Sequence, residues 1–276
     1  MGLSVYNNVE AANAHRLLSA TNSSISRSIE RLSSGLRINR GADDAAGLAV
    51  SESMRSQIRG MSVASRNAQD GVSLVQVADG ALGTVGDMLQ RVRDLAVQAS
   101  NGTLTDAQRS NLNVEVQQIL SEVGKTGTDT EFNGLKILAG SVATAASAVT
   151  LQVGANASQS IAFTIGTVSA SDLGISGIAV SSAASASAAI ASLDAAISTL
   201  TSRRANLGAI QNRLEQTIGR LDLTAENVQA AESRIRDADM AKEMIEFTKN
   251  QILQQSGTAM LAQANQAPQS ILSLLR

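Results

Sequence analysis

The chain has no cysteine and no tryptophan, and only one tyrosine, three phenylalanines, one histidine and one proline among its 276 residues. Each scarcity excludes something. Without cysteine there are no disulfides, no thiolate-bound zinc and no thiol catalysis. A single histidine, His15, removes the usual histidine-rich metal clusters, and no cofactor is expected. Aromatic side chains normally supply much of a globular core, so a compact aromatic-centred core is not expected either. Charge of one sign is also missing in excess. The formal net charge of −2 argues against a nucleic-acid binder, which carries a basic stripe. Residues 1–20 lack the basic start and apolar run of a cleavable signal peptide. Gly2 fails as a myristoylation site because Tyr6 stands where Ser or Thr is required.

What remains is Ala, Val, Leu and Ile at helical spacing, the small side chains that fill seams between long helices. The last stretch is the least usual. After the charged segment that ends at Lys249, nothing from Asn250 to Leu275 carries a charge. One helix can thread it, since Pro268 lies near the end. Such a helix has apolar residues on more than one side: Ile252, Leu253, Met260 and Leu261, then Ile271, Leu272, Leu274 and Leu275. A lone helix cannot bury such a surface, and helices owe most of their stability to packing. Its Gln and Asn residues make a membrane span a poor reading, because an unsatisfied amide in lipid is costly. We expect this terminus to be covered partly by other copies of the chain, which would be soluble or secreted without a cleaved signal.

Taken in order, an early helix lies within residues 1–40. Leu18, Ile25, Ile29, Leu32 and Leu36 follow one another at spacings of 7, 4, 3 and 4, a heptad-like seam. Gly35 and Gly41 interrupt it, and Asp43 or Asp44 can cap the next helix. From about Asp44 to Ser100 apolar residues recur with a mean period of about 3.5, the value for supercoiled helices. At about 1.5 Å per residue that helix would be on the order of 80 Å long. Gly60, Gly71, Gly80, Gly83 and Gly86 weaken it locally but permit close approach of neighbouring helices. Asn101-Gly102 ends it. Thr105 and Gln108 form a capping box for a second helix, with Leu112, Val116, Ile119 and Val123 as its buried stripe and Gly124 as its stop.

A short strand is read at Leu135–Leu138. Val149, Leu151 and Val153 alternate, as do Ile161, Phe163 and Ile165, which predicts a hairpin. The tracts around it, rich in Ala, Ser, Thr and Gly, read as a surface insertion of low complexity. Helical period returns from Ala186 to about Val228, with Arg204 in the seam. The expected class is mainly α: a long antiparallel helical rod or coiled coil formed by the two halves, with a small β-hairpin region mid-chain. The termini then lie side by side.

Several long segments closely resemble bacterial flagellin. They are LSSGLRINRGADDAAGLAVSESMRSQIRGM (Leu32–Met61), NAQDGVSLVQVADGAL (Asn67–Leu82), QRVRDLAVQ (Gln90–Gln98) and the run from AESRIRDADM to the C-terminus. The resemblance covers roughly residues 1–140 and 186–276; Glu10 departs from it, standing where a small apolar residue is expected. It implies a structural, non-enzymatic subunit of the hollow helical filament used for swimming. Such a subunit is exported unfolded through the flagellar secretion channel and folds at the tip of an extracellular appendage. Residues 1–44 with 236–276 would form the inner, channel-lining coiled coil. Residues 45–235 would form the rod domain with its hairpin, 141–185 being a short variable region. Leu18, Ile25, Ile29, Leu32, Leu36, Ile252, Leu253, Met260, Leu261, Ile271, Leu272, Leu274 and Leu275 would serve assembly of the filament core.

The implied partners are many copies of the same chain, a flagellar export chaperone, a cap protein and a hook-associated junction protein, without nucleic acid or membrane insertion. Residues 90–97 resemble the flagellin segment recognised by Toll-like receptor 5. Gln90, Arg91, Arg93, Asp94 and Leu95, with Glu115 on the next helix, would contact that innate immune receptor in the monomer and neighbouring subunits in the filament. Asp94 replaces a more familiar Glu. Rival readings are a hook–filament junction protein and, from another class, a chemoreceptor-like signalling coiled coil, which would need a membrane span. Gly124–Thr126 lacks the earlier glycine of a phosphate loop, since position 119 is Ile119. Asn22, Asn101 and Asn156 begin N-x-S/T triplets, while Ser and Thr of 141–189 offer sites for O-glycosylation.

Overall fold

The structure is a computed structural model that describes residues 8–144 and 147–274, with side-chain surroundings given through Gln266. The described residues form five helices and two small hairpins: α1 (Val9–Ser34), α2 (Ala45–Ser100), α3 (Asp106–Asp129), β1 (Glu131–Phe132), β2 (Leu135–Lys136), β3 (Val149–Gln152), β4 (Ser160–Phe163), α4 (Ala183–Arg236) and α5 (Met240–Leu274). The chain divides into two compact units, one made of Met1–Ser56 with Asn227–Arg276 and the other of Gln57–Glu226.

In the terminal unit α1 packs on α5. The pair is antiparallel, since Asn8 meets Ala264, Asn22 meets Gln254 and Arg31 meets Glu243. Asn8 caps α1 by accepting from the Ala11 amide at 2.9 Å, and Gly35, at φ 72°, ends it in the left-handed conformation. Beyond that cap the chain runs beside the link between α4 and α5. Leu36 bridges Asp237, the Arg37 amide donates to the Arg236 carbonyl at 2.6 Å, and the Ala238 amide donates to the Gly35 carbonyl at 2.9 Å. Of the two acids read as possible caps, Asp44 caps α2 by accepting from the Gly47 amide, while Asp43 instead ties the preceding loop by accepting from the amides of Asn39 and Arg40.

In the larger unit α2 and α4 run antiparallel, joined by Arg204 to Asp79, Arg93 to Asp194 and Ser65 to Asp222. Leu82, Val85, Leu89, Val92 and Ala96 of α2 interlock with Leu193, Ala196, Leu200, Leu207 and Leu214 of α4, and α3 adds Val116, Leu120 and Val123. Small and branched aliphatics suffice because the spaces between close helices are narrow. The capping box at Thr105 and Gln108 is present. Arg109 locks the α2–α3 turn: its guanidinium, almost wholly buried, donates to the carbonyls of Ala99 and Asn101 and pairs with Asp106.

Several expectations are corrected here. α3 does not stop at Gly124 but continues through Gly127 to Asp129. Gly127 is kept small by tertiary contact, because a Cβ there would run into the Val168 carbonyl. The strand at Leu135 is two residues long; it pairs with β1 across an Asn133-Gly134 turn in which both residues have positive φ. The predicted hairpin forms with Leu151 opposite Ile161 and Val149 opposite Phe163. It lies against α2, where Gly60 faces Ala155 and Gly71 faces both Leu151 and Leu214 of α4, so of the glycines assigned to helix contacts Gly60 admits the hairpin instead and Gly71 admits both.

The region after Gly140 is no surface insertion. Val142, Phe163, Ile165, Val168, Leu173, Ile175 and Val180 join the core. Its backbone is tied to α3 by Asn113, which accepts from the Val180 amide, and by Gln117, which donates to the Ile178 carbonyl. Arg204 leaves the seam for the surface, where it holds Asp79 with two hydrogen bonds of 2.8 and 3.1 Å.

Candidate assembly site

The α1–α5 pair buries few large apolar side chains. Along α5 the less exposed positions through Gln266 are Glu243, Phe247, Asn250, Gln254, Gly257, Leu261 and Ala264, at spacings that alternate between 4 and 3. Along α1 the matching positions include Ala11, Ala14, Leu18, Thr21, Ile25, Ser28 and Leu32. This is a seam of heptad type, but about half of its positions are amide, hydroxyl, glycine or alanine. Leu18, Ile25 and Leu32 are in it as expected. Ile29 is not: it is 51% exposed, while Ser28 beside it is buried at 4%. The seam passes one residue earlier because a 3-4 alternation leads from Ile25 to Ser28 and then to Leu32.

The large apolar residues sit mostly outside. Val9, Leu17 and Ile29 of α1, and Met240, Met244, Ile245, Ile252, Leu253 and Met260 of α5, are all exposed. Leu36 is half-buried just past α1, and Leu261 lies in the seam. Ile271, Leu272 and Leu274 are on the last turns of α5, but their side chains, and all of Leu275, lie outside the described residues. A groove of about 820 Å³ runs along one flank of the pair, between Leu17, Leu18 and Ala14 on one wall and Leu253, Gly257 and Met260 on the other. Glu10, the departure from the expected pattern, sits at the rim of this groove.

Charge gathers at the base of the same unit. Glu30 accepts from Asn39 and pairs with Arg40 at 2.8 Å. Arg236 pairs with Glu52 at 2.6 Å and reaches Ser51, while its buried Nε has no partner among the described residues. The Arg236 hydrogen bond holds the Glu52 carboxyl below its ordinary pKa, and the Arg40 and Asn39 amides do the same for Asp43.

In the larger unit the residues proposed for recognition fall in three classes. Arg91 donates twice to Glu115, at 3.1 and 2.8 Å, across the exposed faces of α2 and α3, with Gln90 and Asp94 exposed nearby. Arg93 turns to α4 and pairs with Asp194 at 2.6 Å, which raises its pKa further. Leu95 is 2% exposed and belongs to the core. It cannot touch a partner directly and serves by packing α2. Gly124–Thr126 lies inside α3, so no phosphate loop exists there. Among the described residues no three His, Cys, Asp or Glu side chains gather as metal ligands. Part of α4 is long and apolar enough to cross a membrane, but Leu193, Ala196, Leu200 and Leu207 pack into the core.

Comparison with known proteins fits this arrangement. Residues 5–143 match the bacterial flagellin N-terminal helical region and residues 190–275 the bacterial flagellin C-terminal helical region. Flagellin FlaB2 of Treponema pallidum is 50% identical over 284 aligned residues, covering 99% of each chain. A flagellin of Bacillus subtilis is 48% identical, again covering 99% of both. Among solved structures, a putative flagellar hook-associated protein from Vibrio parahaemolyticus shares the fold at a TM-score of 0.59 and 14% identity, covering 71% of this chain and all of that one. Both helical regions in the right order, and end-to-end identity of about half to full-length relatives, establish that this chain belongs to the bacterial flagellin family.

Proposed function

We propose that the chain is a structural subunit that polymerises with copies of itself into the helical flagellar filament, an extracellular appendage of swimming cells. The observation that supports this best is the inversion on the α1–α5 pair, with small and amide side chains inside and Leu, Ile and Met outside. Exposed Val9, Leu17, Ile29, Ile245, Ile252, Leu253 and Met260 each gain roughly 1–2 kcal/mol when their remaining surface is covered. Neighbouring subunits supply that cover. Residues 1–44 with 236–276 then form the inner, channel-lining coiled coil, and residues 45–235 the rod domain. Purified chain added to short filament seeds should extend them into micrometre-long tubes by electron microscopy. A chain that only caps the seeds would be a junction protein, and the reading would fall.

The finer parts of the proposal follow from this. The subunit leaves the cell unfolded through the flagellar secretion channel, held by an export chaperone, and is placed beneath a cap protein on filament begun by a junction protein. The free subunit also engages an innate immune receptor through Gln90, Arg91, Asp94 and Glu115. The exposed Arg91–Glu115 pair contributes at most about 1 kcal/mol, so Arg91→Ala should leave the fold intact and abolish activation of receptor-bearing cells. Undiminished activation would remove Arg91 from that surface.

A further inference from the structure

The seven methionines are not spread evenly with respect to solvent. Met61 is buried, and Met54 and Met88 are half-buried. Among the described residues the exposed ones are Met240, Met244 and Met260, all on α5 and all outside the seam with α1. Met260 is 65% exposed and lines the groove with Leu17, Leu18 and Leu253. A thioether is soft and apolar, which suits a surface that must adapt to a neighbour, and it is also the one apolar side chain that peroxides convert to a polar one.

We propose that Met260 is an oxidation-sensitive assembly site: in the free subunit a hydroperoxide converts its thioether to the sulfoxide, and the oxidised subunit no longer enters the polymer. The inference rests on the filament reading above. In the step, the Met260 sulfur lone pair attacks one peroxide oxygen, an S–O bond forms and the O–O bond breaks. Sulfur gives up two electrons and hydrogen peroxide is reduced. The hydroxide released takes the proton from the S–OH group and leaves as water. A strongly polar S=O group then stands among Leu17, Leu18 and Leu253, where the neighbouring subunit must exclude water. In assembled filament the same sulfur is covered and spared. Sulfoxide reduction restores the thioether, so the block is reversible.

The test uses full-length chain treated with hydrogen peroxide, sulfoxides located by peptide mass spectrometry, and seeded polymerisation followed by light scattering. Met260→Leu keeps the volume and apolar character, and Met240→Leu with Met244→Leu serves as the comparison. Each protein is compared with its own untreated sample: oxidised wild type should elongate seeds about tenfold more slowly, the double variant should lose as much, and peroxide should not slow Met260→Leu. Sulfoxide at Met260 with unchanged elongation would overturn the proposal, as would equal inhibition of Met260→Leu. Untreated wild type that never elongates seeds would instead remove the filament reading, and this inference with it.

Discussion

The Asn8 side chain joins α1 to α5: its amide nitrogen donates to the Ala264 carbonyl oxygen at 2.7 Å while its oxygen caps α1 at the Ala11 amide. One residue therefore starts the first helix and pins it to the last. Asn8→Ser keeps a capping oxygen but loses the bond to Ala264. Asn8→Ala loses both, and a lost cap costs about 1 kcal/mol. Amide exchange of the full chain should show faster opening near Ala264 in both variants, and faster opening of the first turn of α1 in Asn8→Ala alone. Identical profiles for the two would mean that the cap contributes nothing.

Arg109 is 7% exposed and bonds the Ala99 carbonyl, which the end of α2 leaves without a helical partner, and the Asn101 carbonyl, which also accepts from the Leu104 amide. Arg109→Met fills the space but leaves the Ala99 carbonyl unsatisfied, at a cost of about 2 kcal/mol. Arg109→Lys recovers part of that through one retained bond. Chemical denaturation followed at α2 should rank wild type, Lys, then Met.

At Gly127 the neighbour is backbone and cannot swing away. Gly127→Ala forces α3 off Val168, and overpacking of this kind costs about 1–3 kcal/mol. Gly124→Ala has open space around its Cβ and should be neutral or stabilising by up to about 1 kcal/mol. Thermal unfolding of the two variants should move in opposite directions.

Acid should loosen the base of the terminal unit first. Glu52 and Asp43 both have depressed pKa values in the folded chain, from the Arg236 hydrogen bond and from the Arg40 and Asn39 amides. A depressed carboxyl adds stability that is complete above its unfolded value, about 4. That stability is lost as pH falls through the lower folded value. Limited proteolysis between Arg37 and Ala45 should therefore accelerate below about pH 4. Glu52→Gln combined with Asp43→Asn should show the faster cleavage at neutral pH and little further change in acid.

Much of this molecule was legible before the fold was seen, and the misses share one cause. The capping box at Thr105, the hairpin between the alternating stretches that begin at Val149 and Ile161, and an acid cap for α2, supplied by Asp44, are local patterns, and all appear. Ile29, Gly124, Arg204 and the tract after Gly140 were misread because each choice depends on a partner distant in sequence. Ile29 looks like a seam residue by hydrophobicity, yet Ser28 is taken instead. Gly124 looks like a helix stop, but α3 continues until the packing of Val168 on Gly127 has been made. The small residues after Gly140 look loose, yet Asn113 and Gln117 hold their backbone to a core that Phe163 and Ile165 enter.

The amino-acid order alone determined that the chain is helical, folded back on itself and poor in catalytic groups, because periodicity, capping and composition are properties of neighbouring residues. It also carried the flagellin motifs. Only the tertiary structure decided which apolar side chains each helix keeps within one subunit and which it turns outward. A helix with apolar residues on several sides offers more than one seam. The choice goes to the face where Gly257, Ala264 and Ser28 let the backbones approach and where Asn8 and Gln254 find hydrogen-bond partners. What that choice leaves outside, Leu17, Ile252 and Met260 among them, is the surface offered to the next subunit.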